Sequence, residues 1–131
     1  MTIKLRPITD ADLTPVYALL VVNGWATRIG SVAELGRLVA ASQVATVAIV
    51  NNEVVGFIRA ITDGQSNGYL SMLIVSAPYR RQGIGRALVE SALGDNSRVT
   101  WVLRAGREGA PEFFSQLGFE YSSMAMERRR S

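Results

Sequence analysis

The chain has 131 residues, 48% of them hydrophobic, with a formal net charge of +3, which fits one folded domain over 1–131 and excludes a disordered segment. It contains neither cysteine nor histidine, so a disulfide framework, a thiol nucleophile, a histidine triad and a zinc site are excluded. No apolar run approaches the ~20 residues of a membrane span, and the first residues lack a signal-peptide core, so a cytoplasmic location is expected by default.

Ile3 to Ile8 reads as a first strand with Ile3 and Leu5 inward. Thr9 or Asp10 caps the helix that follows, and Asp12 sits near its positive end. Leu13, Val16, Tyr17 and Leu20 recur at helical spacing, Pro15 fits the first turn, and Asn23-Gly24 ends the helix. A glycine-bracketed loop from Gly24 to Gly30 carries Trp25 and Arg28. Ser31-Val-Ala-Glu34 is a capping box for a second helix with Leu35, Leu38 and Val39 as core positions.

Val44 to Val50 and Val54 to Ile61 are β-rich runs joined by Asn51-Asn-Glu53, a hairpin signal. Asp63 to Gly68 is a second turn, and Tyr69 to Val75 is the next antiparallel strand. Then comes Arg80-Arg81-Gln82-Gly83-Ile84-Gly85-Arg86, followed by the helical pattern of Arg86 to Leu93. Strand, glycine turn and helix make an anion site: the first-turn N–H groups lack carbonyl partners and carry partial positive charge. Three arginines surround the turn. A P-loop would need Lys-Ser/Thr where Arg86-Ala87 stands, and a dinucleotide fingerprint would need a third glycine.

Gly94-Asp-Asn-Ser97 stops that helix. Val99 to Leu103 is a strand reached through a helix, so it is expected to lie parallel to Tyr69–Val75 by a right-handed crossover. Gly109 to Gly118 is a short helix with Pro111 early, and Phe119 onward is expected to form one or two closing strands ending near Arg128. Arg128-Arg129-Arg130 reads as a solvated end, and no nucleic-acid partner is expected.

The Arg-x-x-Gly-x-Gly pattern from Arg80 to Gly85 resembles the coenzyme A signature of the GNAT acetyltransferase superfamily. Leu73-Ile-Val-Ser-Ala-Pro-Tyr79 resembles that family's fourth strand and its exit, and Leu117-Gly-Phe119 resembles the end of its last helix. The resemblance implies an α/β (α+β) acyl-CoA N-acyltransferase fold: a mixed, mostly antiparallel sheet of about six to seven strands flanked by four helices. It implies a direct, metal-free transfer of acetyl from acetyl-CoA to an amine of a small molecule or peptide. By family position Leu73, Ile74 and Val75 meet the pantetheine arm, and Arg80, Arg81, Gln82, Gly83, Ile84, Gly85 and Arg86 surround the pyrophosphate. Trp25 and Arg28, between the first two helices, are acceptor candidates.

The sequence also departs from that pattern. Phe114 stands where many members carry the tyrosine that protonates the departing thiolate, and phenylalanine has no proton to give. Arg107 stands where many carry an arm-binding asparagine. Asp63, Glu108 and Tyr121 are the candidate proton-transfer groups, with Tyr69 or a water as further acids. Trp101, Arg104 and Arg107 cluster after the fifth strand, where an arginine pair fits an acceptor carboxylate or, for Arg107, the coenzyme phosphates. The loss of the tyrosine leaves a second reading open, a non-catalytic acetyl-CoA sensor on the same fold. Met124-Ala-Met126 leaves monomer and homodimer both open.

Overall fold

The computed structural model describes all of residues 1–131. Strand β1 (Lys4–Pro7), a 3-10 turn at Asp10–Asp12, helix α1 (Leu13–Val22) and helix α2 (Val32–Ala40) come first. Strands β2 (Val44–Val50), β3 (Glu53–Thr62) and β4 (Asn67–Val75) follow. A 3-10 turn at Ala77–Tyr79 leads to helix α3 (Ile84–Leu93), strand β5 (Thr100–Val102) and helix α4 (Ala110–Ser115). The sheet order is β1-β2-β3-β4-β5, antiparallel throughout except for the parallel β4–β5 pair.

The local signals explain most boundaries. Asp12 Oδ2 accepts from the Thr9 backbone N–H at 2.7 Å and the Thr9 hydroxyl at 2.9 Å. Arg6 then grips the same carboxylate at 2.6 and 3.1 Å, tying β1 to the start of α1. Ser31 Oγ accepts from Glu34 N at 3.1 Å, as a cap should. The Glu34 carboxylate, however, reaches one residue past the cap, to Gly30 N at 2.7 Å. Gly94 ends α3 with a positive φ of 63°.

Helices cover both sheet faces. Val16 and Leu20 of α1 and Leu35 of α2 are buried against Val47, Phe57 and Ile74. Ile84, Leu88 and Val89 of α3 are buried on the other face against Ala48, Val55 and Ile58. A fully buried side chain of this size contributes roughly 1.5–3 kcal/mol, so these two layers fix the sheet and the start of α3.

A bulge then re-aims β4. Arg59 pairs with Ser71 and Phe57 with Ile74, so two β4 residues oppose Ile58 alone, and Met72 takes a φ of 58°. Strict alternation would put Leu70, Met72 and Ile74 on one face. Instead Leu70 packs with α3, while Met72 and Ile74 pack with α1 and α2.

The sheet has five strands, not the expected six to seven, and no strand forms after Phe119. Tyr121, Met124 and Met126 are all exposed, so that segment buries no apolar side chains against the sheet. Ser122 Oγ also accepts from Met124 N and Ala125 N, which turns the chain where a strand would have to run straight.

Candidate active site

The anion turn forms where β4 stops. Ser76 N bonds Val55 O at 2.8 Å, and the Ala77–Tyr79 turn carries the chain off the sheet. Gly83 caps α3 with a φ of 85°, a left-handed conformation that costs other residues roughly 1–2 kcal/mol. Ala87 N is the first helix amide to find a carbonyl, Gly83 O at 3.0 Å. The amides of Ile84, Gly85 and Arg86 are left to point outward. A Cβ at Gly83 would meet no protein atom within 4 Å, whereas one at Gly85 would stand 3.3 Å from Phe113 Cζ of α4. Gly83 thus keeps room for a ligand, and Gly85 lets α4 close over the turn.

Arg80 braces the turn. Its Nε donates to Val75 O at 3.0 Å and its Nη2 to Asn23 Oδ1 at 2.5 Å, joining the end of β4 to the end of α1. Arg81 and Arg86 line a cleft of about 1200 Å³ beside the turn. Gln82 donates to Pro78 O at 3.4 Å and is not among the residues lining the cleft.

The cleft follows the free edge of β4. Pairing with β5 covers only Asn67–Thr100, Gly68–Trp101 and Tyr69–Val102. From Leu70 onward β4 has no neighbour on that side, and Leu73 and Val75 line the opening, while Ile74 is buried in the layer beneath α1 and α2. Eight arginines line the cleft (28, 59, 80, 81, 86, 104, 107 and 130) against one carboxylate, Glu108. That imbalance makes the cleft strongly basic, an electrostatic setting that favours anions.

The structure brings Trp25, Arg28, Arg104, Arg107, Glu108 and Phe114 into this cleft with the turn. Arg107 lies 4.8 Å above the Trp25 ring centre, which connects the α1–α2 loop to the segment after β5. The Trp25 indole Nε1 is buried and has no hydrogen-bond partner. Arg104 Nε pairs with Glu127 Oε2 at 3.1 Å, so its charge is already answered within the chain. Phe114 packs edge-on against Phe113 and Phe119, with ring centres 5.0 and 5.6 Å apart.

Three candidates lie elsewhere. Asp63 Oδ1 accepts from Gln65, Ser66 and Asn67 N–H, and those bonds, Ser66 first, hold its carboxyl below its ordinary value; it shapes the β3–β4 turn, outside the cleft lining. Tyr121 is 85% exposed, also outside the cleft lining. Trp101 lies across Gly68, where an added Cβ would come within 2.4 Å of its ring. It packs with the α3 layer rather than lining the cleft.

Sequence reading missed Arg59, Tyr79 and Arg130, all of which line the cleft. Arg59 is the notable one, at 8% exposure on β3. The available signal was a lone charge inside the apolar run Val54-Val-Gly-Phe-Ile-Arg-Ala-Ile61.

Residues 41–121, well over half the chain, match the acetyltransferase (GNAT) domain family. A GNAT-family acetyltransferase from Streptococcus pneumoniae is similar in structure, with a TM-score of 0.75, 31% identity and 98% of each chain covered. An acetyltransferase of the same family from Xanthomonas campestris superposes with a TM-score of 0.83 at 19% identity, covering 99% of this chain and 94% of its own. The PaiA N-acetyltransferase of Thermoplasma acidophilum, whose structure is a complex with coenzyme A, shares the fold with a TM-score of 0.75 at 16% identity, covering 95% and 94%. A search of curated proteins finds no match. The glycine turn, the open β4 edge and these likenesses converge: the chain belongs to the GNAT acetyltransferase family and is an acyltransferase.

Proposed function

We propose that the 131 residues act as one acetyl-CoA-dependent N-acetyltransferase unit that moves acetyl directly onto an amine. The observation that carries this reading is the α3 turn: free amides, a left-handed Gly83 with open space beside it, and Arg81 and Arg86 on the same cleft. These are the donors a pyrophosphate needs. The unpaired stretch of β4 from Leu70 to Val75 offers backbone groups to an amide-bearing arm lying alongside as an extra strand.

Acetyl-CoA supplies an activated thioester. The chain's own task is to hold an amine against it, which is worth several kcal/mol of barrier. Glu108, the one carboxylate lining the cleft, is the candidate to take the amine's proton, directly or through water. Tyr69 also lines the cleft and carries a hydroxyl that Phe114 lacks, so it is the candidate donor to the departing sulfur. With a thiol pKa of ~8.5, that leaving group needs little help.

Thermal unfolding with and without acetyl-CoA tests the coenzyme site. At 100 times its dissociation constant, a ligand adds about 2.7 kcal/mol of stability. The shift should appear in the wild type and vanish in Gly83→Val. No shift in the wild type with either acetyl-CoA or CoA would sink the reading.

A further inference from the structure

We infer that Arg59 is the specificity residue of the acceptor site and that the acceptor amine carries a carboxylate, which Arg59 binds. This rests on the acetyltransferase reading for the amine, but the anion site itself stands on the geometry of this chain.

Arg59 lies on the sheet face covered by α1 and α2, paired with Ser71 and two positions from the Ile61–Tyr69 pair. It is 92% removed from solvent, being 8% exposed, yet it makes no ion pair. Its one hydrogen bond runs from Nε to Ser42 Oγ at 2.6 Å, and Ser42 Oγ donates onward to Leu38 O at 2.6 Å. This relay from the end of α2 fixes the plane of the guanidinium. Both terminal nitrogens are then left without a protein partner at a residue that lines the cleft. Two parallel N–H groups on a fixed plane match the two oxygens of a carboxylate.

The residue is largely buried while its terminal nitrogens open only to the cleft, and that partial desolvation of the cation lowers the Arg59 pKa from its ordinary value. A bound anion would offset it. The surroundings favour the same ligand class. Arg28 and Tyr69 line the cleft, and no carboxylate from α1, α2, β3 or β4 lines it. A polycationic amine would meet like charge from eight arginines there, with Glu108 the one opposing group. An amine that also bears a carboxylate approaches with little net charge and brings the missing partner. Arg104 and Arg107, the pair expected from the sequence, are engaged by Glu127 and stacked on Trp25 respectively.

The test uses matched probes on the intact protein. Amino acids and their carboxamides are offered as acceptors with acetyl-CoA, and coenzyme A release is followed. Separately, N-acetylamino acids and their carboxamides are compared by melting-temperature shift without coenzyme. The acids should exceed the carboxamides by at least about tenfold in kcat/KM, mostly through KM. N-acetylamino acids alone should raise the melting temperature and their carboxamides should not. Arg59→Met should abolish both preferences. Its free form should melt no lower than the wild type, because an unpaired charge is gone and Ser42 keeps its bond to Leu38. A merely structural Arg59 would instead give a lower melting temperature and an unchanged preference. Arg59→Lys, which keeps the charge but loses the fork, should restore part of the preference, and it serves if the methionine variant does not fold.

Equal response to acids and carboxamides in the wild type, in both assays, overturns the carboxylate assignment even where acetyl-CoA binds. A response to N-acetylamino acids without acetyl-CoA binding supports the anion site and overturns the coenzyme reading instead.

Discussion

Asp12 shows how much one side chain can hold. It is 5% exposed and its carboxyl is lowered from 3.8 to about 2, first by the hydrogen bonds from Arg6 and then by those from Thr9, against the opposing cost of burial. A depressed carboxyl stabilises the fold above its unfolded value and stops doing so as pH falls through its folded value. The contribution is on the order of 1–2 kcal/mol at neutral pH, allowing for solvent screening at the partly exposed Arg6. Asp12→Asn should therefore lower the unfolding free energy by about that amount at pH 7. The gap between variant and wild type should close between pH 3.8 and about 2. Urea titrations across that window check it; a gap independent of pH would mean the loss comes from packing and not from the charge.

At the same scale the sequence was unevenly legible. The α3 turn was readable because Arg80 to Gly85 act through local backbone geometry, which spacing within seven residues encodes. Arg59 was not, because its meaning depends on Ser42 and on a cleft made by distant elements. Asp63 and Tyr121 have the right chemistry for proton transfer, but the fold sets one in a turn and the other in solvent.

The elements were legible where capping and periodicity agree. Ser31 with Glu34, Pro15 in the first turn of α1 and the Gly94 stop each define an end that the structure keeps. The crossover from β4 through α3 to β5 also runs parallel as expected. The segment after Phe119, expected to close the sheet, pairs with no strand, and its Tyr121, Met124 and Met126 stay exposed. Trp101 misled because its partner, Gly68, lies far back in the sequence. That packing makes a direct forecast. Gly68→Ala puts a methyl 2.4 Å from the Trp101 ring, and such overpacking should cost about 1–3 kcal/mol in denaturant unfolding. In Trp101→Ala the same change should cost much less, and equal costs in both backgrounds would show that the ring is not what Gly68 accommodates.

Across the whole molecule the charges are distributed with a purpose that net charge hides. A formal +3 is modest, but eight of the arginines face one cleft opposite Glu108. Acetyl-CoA affinity should therefore weaken several-fold from low salt to about 0.5 M, mainly through slower association. Stopped-flow binding at graded ionic strength would read this, and a flat profile would place the attraction in the backbone amides of α3 alone.

The three-residue seam between β4 and β5 has a consequence for motion. β2, β3 and β4 are knit over most of their lengths, while β5 is held at Thr100, Trp101 and Val102 only. Opening that seam sacrifices few backbone hydrogen bonds and leaves the α1–α2 layer untouched, at the cost of drawing Trp101 off the α3 layer, so β5 should open locally before the central strands do. Backbone deuteration should reach Thr100–Val102 well before β3. An arm laid along β4 would then act as a splint, and its arrival should slow exchange in β5 far more than anywhere else in the sheet.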